Sequence, residues 1–175
     1  TANQITLAAL GLSCLAGAAI AWQPHNRSLL LLLPLTLFLR MGLNAIDGML
    51  AREHDMKTRL GAVLNELSDV VSDAALYLPL ALVPGFNPWL VVALVILAVI
   101  VEMAGVVAVQ IGAARNYAGP MGKSDRAFAF GLLALLFGIG TPEGAWVTAA
   151  LSLMLLLSCA TVYNRARLAL LEGRP

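Results

Sequence analysis

Two short stretches of this chain gather acids and amides at helical spacing inside otherwise apolar sequence. One runs Arg40, Asn44, Asp47, Gly48, Ala51, and the other runs Gly61, Asn65, Asp69, Asp73. Residues three and four apart share one face of an α-helix, so each set forms a stripe. Glu66 stands three residues before Asp69 and seven before Asp73, at the edge of the second stripe. Ionisable side chains in apolar helices are costly and mark functional sites. Carboxylates converging at low dielectric repel one another and need a counter-charge. A divalent cation with oxygen ligands supplies it, and an Asp/Asn/Glu set suits Mg²⁺ or Mn²⁺, as one ion or two. The candidate metal ligands are Asn44, Asp47, Asn65, Glu66, Asp69 and Asp73. Arg40, one turn from Asn44, is an alternative source of balancing charge. Gly48, Ala51 and Gly61 lie within the stripes. Small residues there either let helices pack closely or leave room for a ligand, and beside a carboxylate cluster a ligand site is expected. His25 and His54 are far apart, and no Cys/His spacing suits zinc. No Ser-His-Asp or Cys-His constellation competes.

The elements that carry these stripes are expected to be membrane helices. The 175 residues are 60% hydrophobic and 12% charged, with net charge +1 and mean hydropathy +0.85. Ordinary soluble domains carry roughly twice that charge. The composition excludes a disordered chain, a disulfide scaffold and a typical soluble enzyme, and the net charge gives nothing to suggest a nucleic-acid binder. Polar interruptions divide the chain into six apolar spans at about 5–22, 28–51, 60–83, 89–111, 126–140 and 145–170. Lipid cannot satisfy open backbone groups, so the spans are helices and the fold is all-α. A single transmembrane domain over 1–175 is expected. Because the sequence begins at Thr1 and not Met, upstream residues are expected as well.

Charge orients the spans. Arg52, Lys57 and Arg59 follow the second span. Arg115, Lys123 and Arg126 follow the fourth, and Arg165, Arg167 and Arg174 end the chain, while the opposite side carries only Arg27. The positive-inside rule puts both termini and both basic loops in the cytoplasm. Trp22, Trp89 and Trp146 end spans on the other side, as an aromatic belt does. Asp47 then lies about 7 Å below the cytoplasmic surface, at 1.5 Å per residue, with Asn65 and Asp69 at similar depth on an antiparallel neighbour. A transporter or cation channel would need polar residues across the whole membrane, and the outer halves of these spans carry almost none.

The run Asn44-x2-Asp47-Gly48-x2-Ala51-Arg52-x8-Gly61-x3-Asn65-x3-Asp69 resembles the signature of the CDP-alcohol phosphotransferases, D-x2-D-G-x2-A-R-x8-G-x3-D-x3-D. All spacings agree, and six of the eight fixed positions agree in type. The opening Asn3-Gln4-Ile5-Thr6 is similar to the Asn-x-x-Thr that often begins the family's first helix. The resemblance extends over essentially the whole chain, since the family also has six membrane helices. It implies transfer of a substituted phosphoryl group from a CDP-linked donor, usually CDP-diacylglycerol, to a small alcohol or phosphorylated alcohol, with release of CMP. It implies a divalent-metal site on the second and third helices and a cytidine pocket lined by Gly48, Ala51, Arg52 and Gly61. It implies Asp69 as the general base, and a homodimer in a bacterial-type inner membrane with its active site facing the cytoplasm.

The chain departs from the signature at the first and third aspartates, which are Asn44 and Asn65. Amide oxygens can ligate but bring no charge. Two readings stay open. In one, Glu66 and Asp73 join Asp47 and Asp69 to restore four carboxylates. In the other, the site binds nucleotide or lipid without turnover. The loop from Arg115 to Arg126 contains Gly119-Pro120-Met121-Gly122 and a capping Ser124 or Asp125. Arg115, Lys123 and Arg126 there are candidates for holding the phosphate of the lipid donor or of an anionic acceptor. Glu102 has no evident partner in the sequence and is given no catalytic role. Gly131, Gly138 and Gly140 would permit close packing between subunits.

Overall fold

A computed structural model of the chain describes residues 1–53 and 58–173, with side chains described except at 51–53. Lys57 and Arg174, read above as orienting charges, lie outside the described residues. The described chain folds into six α-helices: α1 (Ala2–Trp22), α2 (Leu32–Glu53), α3 (Arg59–Tyr77), α4 (Pro88–Gln110), α5 (Lys123–Gly138) and α6 (Ala145–Glu172). Short 3₁₀ turns at Arg27–Leu31 and Leu78–Leu82 precede α2 and follow α3.

Local chemistry sets the ends. Thr58 accepts a hydrogen bond from the Gly61 amide at 2.8 Å and starts α3. Pro79 then removes a donor after Tyr77, and the chain tightens into the 3₁₀ turn instead of running helical to residue 83. Asn87 accepts from Trp89 and Leu90 ahead of α4, with Pro88 in the first helical position. Asp125 accepts from the Gly122 amide at 2.9 Å, so α5 begins three residues before the expected span.

Four helical segments are long and apolar enough to cross a membrane: Ala2–Trp22, Arg27–Leu50, Pro88–Gln110 and Ala145–Glu172. The other two expected spans differ for separate reasons. α3 carries Arg59, Glu66, Asp69 and Asp73 within 19 residues, and α5 is only 16 residues long. Many large apolar side chains face outward, among them Leu15, Phe38, Met103 and Leu156. A soluble surface would not sustain so much exposed hydrocarbon. Trp22, Trp89 and Trp146 are exposed near helix ends.

The chain divides into two compact units, one of Thr1–Pro84 with Gly131–Pro142 and one of Gly85–Phe130 with Glu143–Pro175. In the first unit α1 packs against both α2 and α3. Gly61 meets Asn3 and Gly17 meets Ala75, the same interval along each helix, so α1 and α3 run parallel. At Gly17 the two backbones nearly touch, and a Cβ would collide with the Ala75 carbonyl. The core is Ile20, Leu30, Leu33, Leu76, Tyr77, Leu80 and Phe137. Gly131 lies against Leu37 and Gly138 against Leu31, while Gly140 adopts φ +96° just after α5. Gly131 and Gly138, expected to permit contact between subunits, pack against side chains of the same chain.

In the second unit α4 packs against α6. Val91, Leu94, Val101, Phe130, Val147, Leu151 and Met154 fill the interior. The 111–122 connection closes onto α6 at Gly119, where φ is +139° and Thr161 leaves no space for a side chain. The Thr161 hydroxyl accepts from the Met121 amide at 2.9 Å and fixes that turn.

Candidate active site

The first unit assembles the polar stripes around α1. The Thr6 hydroxyl has Asp47 Oδ2 at 3.0 Å and the Ala2 carbonyl at 3.1 Å as acceptors for its one hydrogen, and the first is a buried contact between α1 and α2. Asn3 Oδ1 lies over Gly61, one turn further out on α1. The Asn-x-x-Thr opening therefore touches both stripes: Thr6 reaches Asp47, and Asn3 covers the start of α3.

Arg40 joins α2 to α3. Its Nη1 is 3.0 Å from Asp73 Oδ1, and its Nη2 is 3.5 Å from Asp69 Oδ1. Arg40 and Asp73 are buried, whereas the Asp69 side chain keeps 25% of its surface open. The balancing charge considered for Arg40 is thus directed to the last two acids of the stripe. Among the described residues, no three Asp, Glu, His or Cys side chains converge to hold a metal ion. Asp73, read as a replacement ligand, is instead held by the guanidinium. Glu66 is half-buried, and it does not complete a group of three acids.

The donor chemistry that remains is Asp47 and Asp69 with the amide oxygens of Asn44 and Asn65. This set is hard, oxygen-based and carries two negative charges, which balances one divalent cation. Asn44 is half-buried and Asn65 exposed. At Gly48 a Cβ would meet nothing within 4 Å, so among the described residues this glycine serves no helix contact. Its small size leaves open space beside Asp47. Ala51 and Arg52 belong to α2, but their side chains lie outside the described residues.

The second unit contains a cluster of arginines. Arg126 is fully buried, with Nη1 donating to the Met121 carbonyl at 3.3 Å and Nη2 pairing with Glu102 at 3.0 Å. Arg165 donates to the Val101 carbonyl at 2.7 Å and stands 3.7 Å from the other Glu102 oxygen. Two buried guanidiniums therefore share one carboxylate. The Nε atoms of Arg126 and Arg165 are buried without a hydrogen-bond acceptor. Arg115 and Arg165 both approach Gly105, and Arg115 covers the Tyr117 ring at 5.2 Å. Lys123 is half-buried at the start of α5.

The pairing of Glu102 with Arg165 is not legible in the sequence. A lone acid in the most apolar helix required a buried cation. Arg165 was available, but its position near the chain end made it read as an orienting charge only.

A family model described as CDP-alcohol phosphatidyltransferase matches residues 1–163. The chain belongs to the CDP-alcohol phosphatidyltransferase family. It is 49% identical over 173 residues to the inner membrane protein YnbA of Escherichia coli strain K12, covering 98% of this chain and 85% of that one. Two crystal structures of phosphatidylinositol phosphate synthase from Mycobacterium tuberculosis share the fold. One, with CDP-DAG bound, gives a TM-score of 0.80 and covers 97% of this chain and 86% of that chain. The other, in complex with manganese and citrate, gives 0.81 and covers 97% and 82%. Both are 18% identical to this chain. Members of this family are transferases of phospholipid synthesis, and the apolar helices and the curated relative agree with an integral membrane protein.

Proposed function

We propose that this protein transfers a phosphatidyl-type group from CDP-diacylglycerol to an alcohol, releasing CMP, at the inner-membrane surface facing the cytoplasm. The observation that carries the proposal is the pairing of family membership with a preserved Asp47 and Asp69, each held by a specific partner. Six membrane-embedded helices with both termini inside follow from the loop charges, and a homodimer follows from the family. The manganese and CDP-DAG bound in the mycobacterial structures support the metal class and the donor class.

Asp69 is the general base in this reading. It takes the proton of the acceptor hydroxyl as that oxygen attacks the donor phosphorus, while the bond to the CMP oxygen breaks. Its partial exposure leaves it reachable, and Arg40 fixes its position. Asp47 and Asp69, with Asn44 and Asn65, would hold a single Mg²⁺ or Mn²⁺. Such an ion, when bound, supplies charge neutralisation for the diphosphate. Gly48 leaves backbone exposed to the nucleotide, and Gly61, covered by Asn3 and Thr58, borders the pocket, with Ala51 and Arg52 between them in sequence. Arg115, Lys123 and Arg126 recognise phosphate in this reading, Arg126 from a buried position against Glu102 and the Met121 carbonyl.

Incubation of the purified protein with CDP-diacylglycerol and a pool of alcohols, followed by lipid mass spectrometry, tests the assignment. A new phospholipid that is absent with Asp69→Asn supports it and names the acceptor. Bound CDP-diacylglycerol with no product from any alcohol would favour the binder without turnover, which the loss of two signature aspartates makes the second reading.

A further inference from the structure

We propose that Arg40 is a built-in cation of the carboxylate site, standing where a second divalent ion would otherwise be needed, so that the site takes one ion and not two. The inference rests on the reading of this patch as a metal-dependent transfer site.

Three observations meet at this residue. Arg40 is buried on α2, and its two terminal nitrogens divide between Asp73 at 3.0 Å and Asp69 at 3.5 Å on α3. A guanidinium held this close to Asp69 repels a cation brought to the same side of that carboxylate, and the low dielectric strengthens the repulsion. Second, Asn44 and Asn65 change what the stripe can ligate. A carboxylate has two acceptor oxygens and can bridge two cations. An amide has one acceptor oxygen, and its NH₂ presents donors. Neither asparagine can bridge a pair of ions. Third, no three acid, His or Cys side chains converge among the described residues, so Glu66 and Asp73 do not rebuild a four-carboxylate centre. Asp47, Asp69 and Asp73 carry three negative charges, Arg40 offsets one of them, and the two that are left balance one divalent ion and not two. Arg40 is thus a positioning and charge-setting residue that acts through Asp69.

The test is a count of Mn²⁺ bound per chain, by electron paramagnetic resonance of the free ion, on the full protein purified in detergent. The wild type saturates at one ion. Asn44→Asp with Asn65→Asp, Arg40 retained, still saturates at one. Adding Arg40→Gln to that pair raises the count to two, whereas adding Arg40→Lys leaves it at one. Two ions on the wild type or on the Arg40-containing double variant would overturn the inference, and so would a folded Arg40→Gln triple variant that stays at one. Gel filtration checks folding; if the triple variant fails to fold, the count on the double variant decides. No ion on the wild type would overturn the metal assignment itself, so the two failures read differently.

Discussion

Arg40 on α2 reaches Asp73 on α3 with its Nη1 at 3.0 Å and Asp69 with its Nη2 at 3.5 Å. This contact ties the two helices that carry the signature. Breaking a buried ion pair by removing one partner leaves the other charge stranded, at a cost of about 3–5 kcal/mol. Arg40→Met is expected to lower stability by an amount of that order, read as a drop in the detergent melting temperature. The double variant Arg40→Met, Asp73→Asn recovers part of it, because the stranded buried acid is then neutral. An additive double variant would show that the pair carries no coupling.

Thr6 holds Asp47 by a single hydroxyl. Thr6→Val keeps the shape and removes the donor. Hydrogen bonds to charged groups are worth about 1.5–3 kcal/mol, and part of that is expected as lost stability. CMP release is expected to fall, since Asp47 loses one of its contacts, and Thr6→Ser restores it. Unchanged turnover in Thr6→Val would remove the first helix from the site.

Gly17 and Gly48 separate packing from ligand binding. Gly17→Ala drives a methyl group into the Ala75 carbonyl, and overpacking of this kind costs about 1–3 kcal/mol. Gly48→Ala meets open space and gains helix propensity of up to about 1 kcal/mol. The second variant is therefore expected to be at least as stable as wild type while its KM for the CDP-linked donor rises. A Gly48→Ala protein with unchanged KM would take Gly48 out of the nucleotide pocket.

Glu102 is shared by Arg126 and Arg165 in the second unit. Glu102→Gln leaves two buried guanidiniums without a counter-charge, and a loss of about 3–5 kcal/mol is expected. Because Arg126 also holds the Met121 carbonyl, the 115–122 loop is expected to become more sensitive to protease. Unaltered cleavage of that loop would mean that the ion pair does not support it.

What the sequence carried was periodicity and composition. Helices that are apolar throughout declare themselves, and the four-residue spacing of Asn65, Asp69 and Asp73 put them on one face. Partner choice was less legible. Asp73 appeared as one more possible ligand, because a sequence shows that an acid and an arginine share a depth but not that they touch. Glu102 lacked a partner for the same reason: Arg165 lies 63 positions away and meets it only once α6 packs on α4. Gly138 read as a contact for another subunit, yet Leu31 of the same chain fills that place. The opening Asn3 and Thr6 were visible as a motif, but their contacts with Gly61 and Asp47 needed α1 in position between α2 and α3.

The central claim is that Asp47 and Asp69 sustain transfer although Asn44 and Asn65 replace two acids. Metal-dependent release of CMP from CDP-diacylglycerol by the purified protein, measured beside Asp69→Asn with the alcohol pool present, tests it most directly. CMP that requires Mg²⁺ or Mn²⁺ and falls at least a hundredfold in the variant is the expected result. Equal CMP from wild type and Asp69→Asn, with donor still bound by both, would contradict it.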